Sequence, residues 1–496
     1  MTTGLDTPYD LLVLGGGLAG LSVAYKAACR GRSVGVLEAR GRAGGLVASH
    51  VFEGLRVDVG AESCASSKGG VLVRELCAEL GLETVEPQGQ SWVWSNGADG
   101  PVPLPYGIVG IPADLHDPDV IAALRQAGGQ AAVDRALEDL VLGPEVGAEA
   151  ETIAELVEMR MGPAVLDLFV QPIAGGIYSA DPALLSIERV APGLKEAMLS
   201  AESLSGAVAA LKAAGPKGAA VFSTKGGMWR LPAALVDSIE SHGGRVITDT
   251  KVVGLCWVAA SRLWHVQVEV KSPSGEKTEE TYVAKKLNLA LPPHKVFALL
   301  KEAAEDALGQ GAAEDAVAWA DILELCDFDW THKGAPVMHV TLCLPGDSLE
   351  GAPRGSGMLI GPGGPLDPAS PYPRRPKALT HYSAKWPDTV EDSDMHVLRV
   401  SYGRAGEDAM LPTVSEACAH ASTLLGVDIT PDSLLDSRVI NWSGTMHVST
   451  PQAVEVAARM REILDGVSAL SISGAWFAGS GLAAVIPDAL RTGETL

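Results

Sequence analysis

The sequence predicts an α/β fold in which one nucleotide-binding domain is assembled from separated pieces of chain. A helical unit and an α+β unit are inserted between the pieces. Three observations carry this prediction. An apolar run at 11–14 leads into Gly15-Gly16-Gly17-Leu18-Ala19-Gly20, and a second at 34–37 leads into Glu38-Ala39-Arg40-Gly41-Arg42-Ala43-Gly44-Gly45. A third strand-like run, at 470–473, leads into Gly474, then Gly479-Ser480-Gly481-Leu482 and an apolar helical segment near the opposite end of the chain.

Each element has a physical reason. The run 11–14 has no polar face, which suits a buried parallel strand. Gly15, Gly17 and Gly20 then supply a tight turn, close backbone approach to a pyrophosphate, and close helix–strand packing. Leu18, Leu21, Ala24, Tyr25 and Ala28 recur at helical spacing. The first turn of that helix, with Leu18 and Ala19, aims its amides and dipole at the diphosphate. Glu38 ends the second strand, with Ala39 and Arg40 beside it, where a carboxylate accepts from both ribose hydroxyls of an adenosine. A 2′-phosphate is repelled there, which disfavours NADP. Gly44 and Gly45 admit a second backbone stretch to the cofactor, with Arg42 near the phosphates. One glycine-rich turn is weak evidence; the whole series describes a discontinuous Rossmann-like domain.

Along the chain, the expected order is a first nucleotide-binding part at 8–112, a helical insertion at 113–215 and a second nucleotide-binding part at 216–295. A substrate-binding unit at 296–440 and a third nucleotide-binding part at 441–496 follow. Residues 71–82 read as a helix ending at Gly81. Strand signals fall at 245–247, 252–255, 264–270 and 287–291, with a hairpin at Ser272-Pro273-Ser274-Gly275. Further strands are expected at 335–344 and 396–403, separated by a Gly/Pro-rich loop from 346 to 376. Glu145, Glu149, Glu151 and Glu155 read as a solvated helix start.

Composition excludes several partners. The 496 residues carry a net charge of −23. That argues against nucleic acid and against generic polybasic attachment to anionic lipid. An anionic substrate therefore needs a locally basic site inside an acidic molecule. The seven cysteines are scattered without a C-x-x-C pair, and the 11 histidines show no metal-ligand spacing, so neither disulfides nor a metal is expected. Residues 1–6 lack the features of a signal peptide, and no apolar stretch is long enough to span a bilayer. A reducing cytoplasm is the expected compartment, with peripheral membrane contact left open.

Further segments now matter together. They are Val57-Asp58-Val59-Gly60-Ala61-Glu62-Ser63, Pro103-Leu104-Pro105 with Gly110-Ile111-Pro112, and Gly175-Gly176-Ile177-Tyr178-Ser179-Ala180-Asp181. Gly226-Gly227-Met228, Lys385-Trp386-Pro387 and Tyr402-Gly403-Arg404 complete the set. With the glycine motifs they resemble the oxygen-dependent porphyrinogen oxidases of the flavin amine oxidase superfamily, from about residue 9 to the end. The resemblance implies FAD as cofactor. Gly15, Gly17 and Gly20 would hold its diphosphate and Glu38 its ribose, and Arg42, Gly44 and Gly45 would line the diphosphate and ribityl chain. Val59, Gly60, Ala61 and Glu62 would pass under the isoalloxazine, Val252 would pair with adenine, and Gly474, Gly479, Gly481 and Leu482 would approach the flavin N1/O2 edge. It also implies oxidation of coproporphyrinogen III to coproporphyrin III, with six electrons removed through FAD to O₂ in three rounds that each yield H₂O₂. No catalytic side chain is implied, because flavin N5 accepts the hydride.

For the substrate, the resemblance points to Lys68, Tyr178, Ala180, Leu359, His381 and His447. Lys225, Arg230 and Arg404 are further cations without an assigned place. Protoporphyrinogen IX is the alternative substrate, and an amine oxidase or desaturase relative is the wider one. A binding scaffold without turnover is the non-enzymatic reading. Hand-over of product to a ferrochelatase is a further expectation. The chain departs from the family pattern at Ala180 and Ala483, where relatives carry Gly and Pro, and in Ser443-Gly444-Thr445-Met446-His447.

Overall fold

The protein's structure, a computed structural model, describes residues 7–95, 100–309, 316–328, 334–361, 364–365, 372, 374–391, 393–442, 444–465, 467 and 469–496. The expectation for residues 1–6 and the departure at Ser443 lie outside these.

The first apolar run forms strand Tyr9–Leu14, essentially closed to solvent from Leu11 onward. A strand with two apolar faces needs partners on both edges and cover on both sides. It pairs in parallel with Val34–Leu37 and with the C-terminal half of Lys277–Leu289. Arg245–Ile247 extends the sheet past Val34–Leu37, and Leu470–Ile472 lies on the other edge of Lys277–Leu289. All these pairings are parallel. Strands Thr250–Val258 and Leu263–Lys271 add an antiparallel wing, and the expected turn joins Leu263–Lys271 to Lys277–Leu289, closed by Gly275 N donating to Ser272 O. One seven-stranded sheet is thus built from three distant stretches of sequence.

Helix Leu18–Cys29 covers this sheet and packs against the C-terminal helix Leu482–Thr495. Glycine sets the spacing: a Cβ on Gly493 would stand 2.6 Å from Val23 O. Helix Lys68–Glu79 packs on the same C-terminal helix, where a Cβ on Gly69 would stand 1.9 Å from Ala483 O. It begins three residues before the expected 71 because Ser67 caps it, accepting from Gly70 N.

A second seven-stranded sheet runs in the order 436–441, 338–345, 395–402, 378–381, 357–360, 91–94, 102–103. Strand Gly357–Ile360 corrects the expectation of a plain loop over 346–376. Its apolar run is too short, and too closely flanked by glycine and proline, to stand out in the sequence. Strands Ser91–Trp94 and Val102–Pro103 come from within the first expected nucleotide-binding part yet join this second sheet. Helix Val414–Leu425 covers one face, packing on Leu398, Val400 and Tyr402. The other face turns toward residues 57–62.

The insertion is helical. It contains Pro118–Leu137, kinked at Gly128 and Gly129, then Ile153–Met161, Leu194–Ala201 and Leu204–Ala214. Residues 163–178 form one irregular helical run with wide turns at Leu166–Val170 and Ala174–Tyr178. Glu155 is a capping residue: its side chain and that of Thr152 satisfy each other's backbone amides. Arg160 and Asp139 form a fully buried pair at 2.7 Å. Among the described residues no helix is long and apolar enough to cross a membrane. All seven cysteines are free thiols.

Candidate flavin site

Two glycine turns meet at the end of the first sheet, and a third follows strand Leu470–Ile472 at the same end. Gly15 takes φ +109°, and a Cβ there would stand 2.4 Å from Ala290 O. Gly44 N donates to Gly16 O at 2.7 Å, and a Cβ on Gly45 would stand 2.9 Å from Gly17 Cα. The two glycine segments therefore pack backbone on backbone. Gly17 caps helix Leu18–Cys29 with no side-chain hydrogen bond to its end, so the first-turn amides of Leu18, Ala19 and Gly20 have no side-chain acceptor there. Glu38 is held by two amides, Gly16 N at 2.8 Å and Arg40 N at 2.9 Å. Its backbone joins the 247–250 segment, since Glu38 N donates to Ile247 O and Thr250 N to Glu38 O. This brings Ala39, Arg40 and Val252, on strand Thr250–Val258, to the same end of the sheet. Arg42 donates to Gly45 O at 3.0 Å and lies over the Trp442 ring.

The 57–62 segment is clamped between the two sheets. Trp442 Nε1 donates to Val59 O at 3.0 Å, His339 Nδ1 donates to the same oxygen at 3.2 Å, and Arg399 donates to Gly60 O at 3.0 Å. Ala61 N donates to Leu46 O, and a Cβ on Gly60 would stand 1.9 Å from that oxygen. Glu62 is buried between Arg399 and Lys385, the latter at 2.8 Å, with Trp386 Nε1 at 3.4 Å. Burial alone pushes the Glu62 carboxyl up, but Arg399 and Lys385 outweigh it and hold it at about 2. Asp58 goes the other way. Burial lifts it to about 7, although Met228 N, Trp229 N and Tyr382 OH all donate to it. His339 is held well below the usual imidazole range by burial, with Arg399 and Lys377 nearby. The sequence reading included Glu62 and quoted Lys385 in a family segment without giving it a role, but missed Arg399 and His339. Their signal was available only as strand alternation, which says which side chains share a face but not what the face meets.

At the C-terminal end, Gly474, Gly479 and Gly481 take φ of +133°, +114° and +91°. Gly481 precedes Leu482, the first residue of the C-terminal helix, and a Cβ there would meet nothing within 4 Å. Arg189 of the helical insertion donates to Phe477 O at 3.2 Å and so ties the insertion to this loop. Backbone amides, open glycine turns and one carboxylate fixed at a strand end fit a dinucleotide diphosphate and ribose. The residues present thus fit FAD.

The expected substrate contacts separate. Tyr178, Ala180 and Leu359 come together: a Cβ on Gly176 would stand 2.6 Å from Leu359 Cδ2, and Ala180 is buried two residues beyond Tyr178. Burial pushes the Tyr178 phenol up. Arg404 lies behind them, donating to Ile360 O at 2.8 Å, with its Nε 2.9 Å from where a Gly175 Cβ would be. His381 does not join this group. It pairs in register with Leu398, so it points to the face covered by helix Val414–Leu425, whereas Thr380 pairs with Arg399. His381 is fully buried against His396, and burial and that neighbour push it down to about 4. His447 lines a small cavity with Arg189, Ser449 and Trp476, and burial pushes it down to about 4. Lys68 is exposed at the start of its helix, near Ala483. Lys225 is paired with Glu83 at the surface, and Arg230 donates to Lys225 O. Among the described residues no cluster of His, Cys, Asp and Glu is arranged to hold a metal.

Comparison with known proteins agrees with this architecture. The profile of the flavin containing amine oxidoreductase family matches residues 18–316. Coproporphyrinogen III oxidase of Mycobacterium tuberculosis is 26% identical over 497 residues, covering 98% of this chain and 96% of the relative. The Staphylococcus aureus coproporphyrinogen III oxidase is 24% identical, with 98% and 97% covered. Protoporphyrinogen oxidase 2 of Arabidopsis thaliana is 31% identical over 272 residues, 50% of this chain and 51% of that protein. Among solved structures, one from Exiguobacterium sp. 255-15 has a TM-score of 0.75 at 21% identity, covering 99% and 98% of the two chains. Reduced UDP-galactopyranose mutase has a TM-score of 0.65 at 14% identity, with 98% and 95% covered. The chain belongs to the flavin containing amine oxidoreductase family and is an FAD-dependent oxidoreductase.

Proposed function

We propose that this protein oxidises coproporphyrinogen III to coproporphyrin III with O₂ as the final acceptor. The observation that carries the reading is the end-to-end likeness to coproporphyrinogen III oxidases, which spans both sheets and the helical insertion. The partial likeness to a protoporphyrinogen oxidase supports the same ring system with fewer carboxylates as the alternative.

Bound FAD supplies a two-electron acceptor, so the residues have to bind, orient and exclude water. In this reading Glu38 and the turns at 15–17 and 44–45 hold the adenosine and diphosphate. The clamp of Trp442, His339 and Arg399 on Val59 and Gly60 keeps the 59–62 segment from shifting under the ring. Tyr178, Ala180 and Leu359 form a wall against which a flat substrate is oriented, and the buried carbon around them excludes water. Orientation of this kind accounts for a large share of catalysis where the cofactor carries the chemistry. The test is a side-by-side assay of the purified holoprotein with coproporphyrinogen III and protoporphyrinogen IX in air. Enzyme-dependent porphyrin fluorescence with matching peroxide, faster for the first substrate, is expected. Faster turnover of protoporphyrinogen IX would replace the substrate, and activity with neither would overturn the reading.

A further inference from the structure

Lys377 is a buried lysine in an unusual position. It is 2% exposed, immediately before strand Ala378–His381, and its ammonium donates to the Ser179 hydroxyl. No ion pair forms between it and a carboxylate among the described residues. The groups that face it are Arg404 and Glu407 from the loop after strand Met395–Tyr402, Arg399 from that strand, and His339 from strand Met338–Pro345. Arg375, exposed, precedes it in the chain. Arg399 is already matched by Glu62, and Glu407 is a half-exposed partner of Arg404. Lys377 is therefore, among the described residues, the buried charge of the group with no carboxylate in ion-pair range, Glu407 acting on it only from farther off. A buried ammonium whose one hydrogen-bond partner among the described residues is a hydroxyl costs stability. Consistent with that, burial and the two arginines bring it down to about 7.

Ser179 is itself constrained. It ends the irregular helical run at φ +56°, is fully buried, and its carbonyl accepts from Ala405 N at 2.7 Å. It lies between Tyr178 and Ala180. The lysine thus acts on the wall from behind, through the Ser179 hydroxyl. In a molecule of net charge −23, exposed charges are screened within about 10 Å by salt, whereas a buried one is screened far less. Resting on the functional reading above, we propose that Lys377 supplies the positive charge by which this site selects a carboxylate-bearing substrate, holding Tyr178 and Ala180 in place through Ser179. It is a positioning residue, with the polycarboxylate class as its specificity.

The test uses the holoprotein, with oxidised coproporphyrin III and its tetramethyl ester as non-reacting probes and binding followed by fluorescence. Wild type is expected to prefer the tetra-acid by about tenfold at pH ~6, with the preference falling about tenfold by pH ~9 as Lys377 loses its proton. Lys377→Met is expected to lose the preference at both values. Lys377→Arg, which keeps its charge, is expected to retain the preference at both and so flatten the pH profile. Thermal melts should show Lys377→Met at least as stable as wild type at pH ~6, because the cost of the buried charge is fully present below its folded value and fades as pH rises toward the unfolded one. A Lys377→Met protein with wild-type preference and slope would overturn the proposal, as would a Lys377→Arg protein that keeps the wild-type slope. Coproporphyrinogen turnover by wild type separates the two failures. If it is present while the variants behave as wild type, only the role of Lys377 falls. If it is absent, the functional reading falls and this proposal with it.

Discussion

Glu62 and Asp58 are four residues apart on the same segment, and their environments push them in opposite directions. Arg399 and Lys385 keep Glu62 ionised; burial without a cation lifts Asp58. The sign for stability follows. Glu62, folded at about 2 against an unfolded 4.5, contributes stability above pH 4.5 that is lost as pH falls toward 2. The contribution is roughly 3 kcal/mol, at one pKa unit per 1.36 kcal/mol. Glu62→Gln should therefore lower stability by about that amount at neutral pH and flatten acid denaturation, as read from urea melts at several pH values. An unchanged acid limb would show that Glu62 is not held by its cations. Asp58 has the reverse sign: its contribution is full below 3.8 and lost as pH rises through about 7. Asp58→Asn should gain stability relative to wild type above pH ~7, visible as a melting-temperature difference that closes in acid.

Elements decide which of the legible residues matter. The glycine turns were readable because diphosphate chemistry demands backbone at fixed spacing, and the structure packs Gly16 against Gly44. Leu359 and Tyr178 entered by resemblance alone, and the structure brings them together although they come from different elements. His381 shows what a one-dimensional reading lacks. A one-residue step along a strand reverses the face, and only the register with Leu398 and Arg399 reveals which side it occupies. Thr380→Phe should therefore raise KM about tenfold or more, while His381→Leu should leave KM within about twofold and act on stability instead. Steady-state kinetics on both variants checks this, and the reverse ranking would show that the strand's faces are misassigned. Gly60 makes the same point through space. Its missing Cβ would stand 1.9 Å from Leu46 O, so Gly60→Ala should displace the 59–62 segment and yield protein purified with little flavin. Full flavin occupancy in that variant would count against the clamp.

Across the whole molecule, the split domain is the feature that local sequence could only suggest. Strands Tyr9–Leu14, Lys277–Leu289 and Leu470–Ile472 share one sheet, and the helices that begin at Leu18 and Leu482 pack against one another. The second sheet was less legible. Ser91–Trp94 pairs with Gly357–Ile360 across more than half the chain, and neither strand has enough alternation to announce the other. The clamp on 57–62 arises only when both sheets are in place, which is why Arg399 and His339 were invisible beforehand. The central claim, that these two sheets hold FAD against a porphyrinogen, is tested most directly by mixing the purified holoprotein with coproporphyrinogen III under strict anaerobiosis and following the flavin absorbance. The account predicts bleaching of the oxidised flavin, recovered on admitting air together with porphyrin fluorescence. Flavin that stays oxidised under saturating coproporphyrinogen III would contradict it.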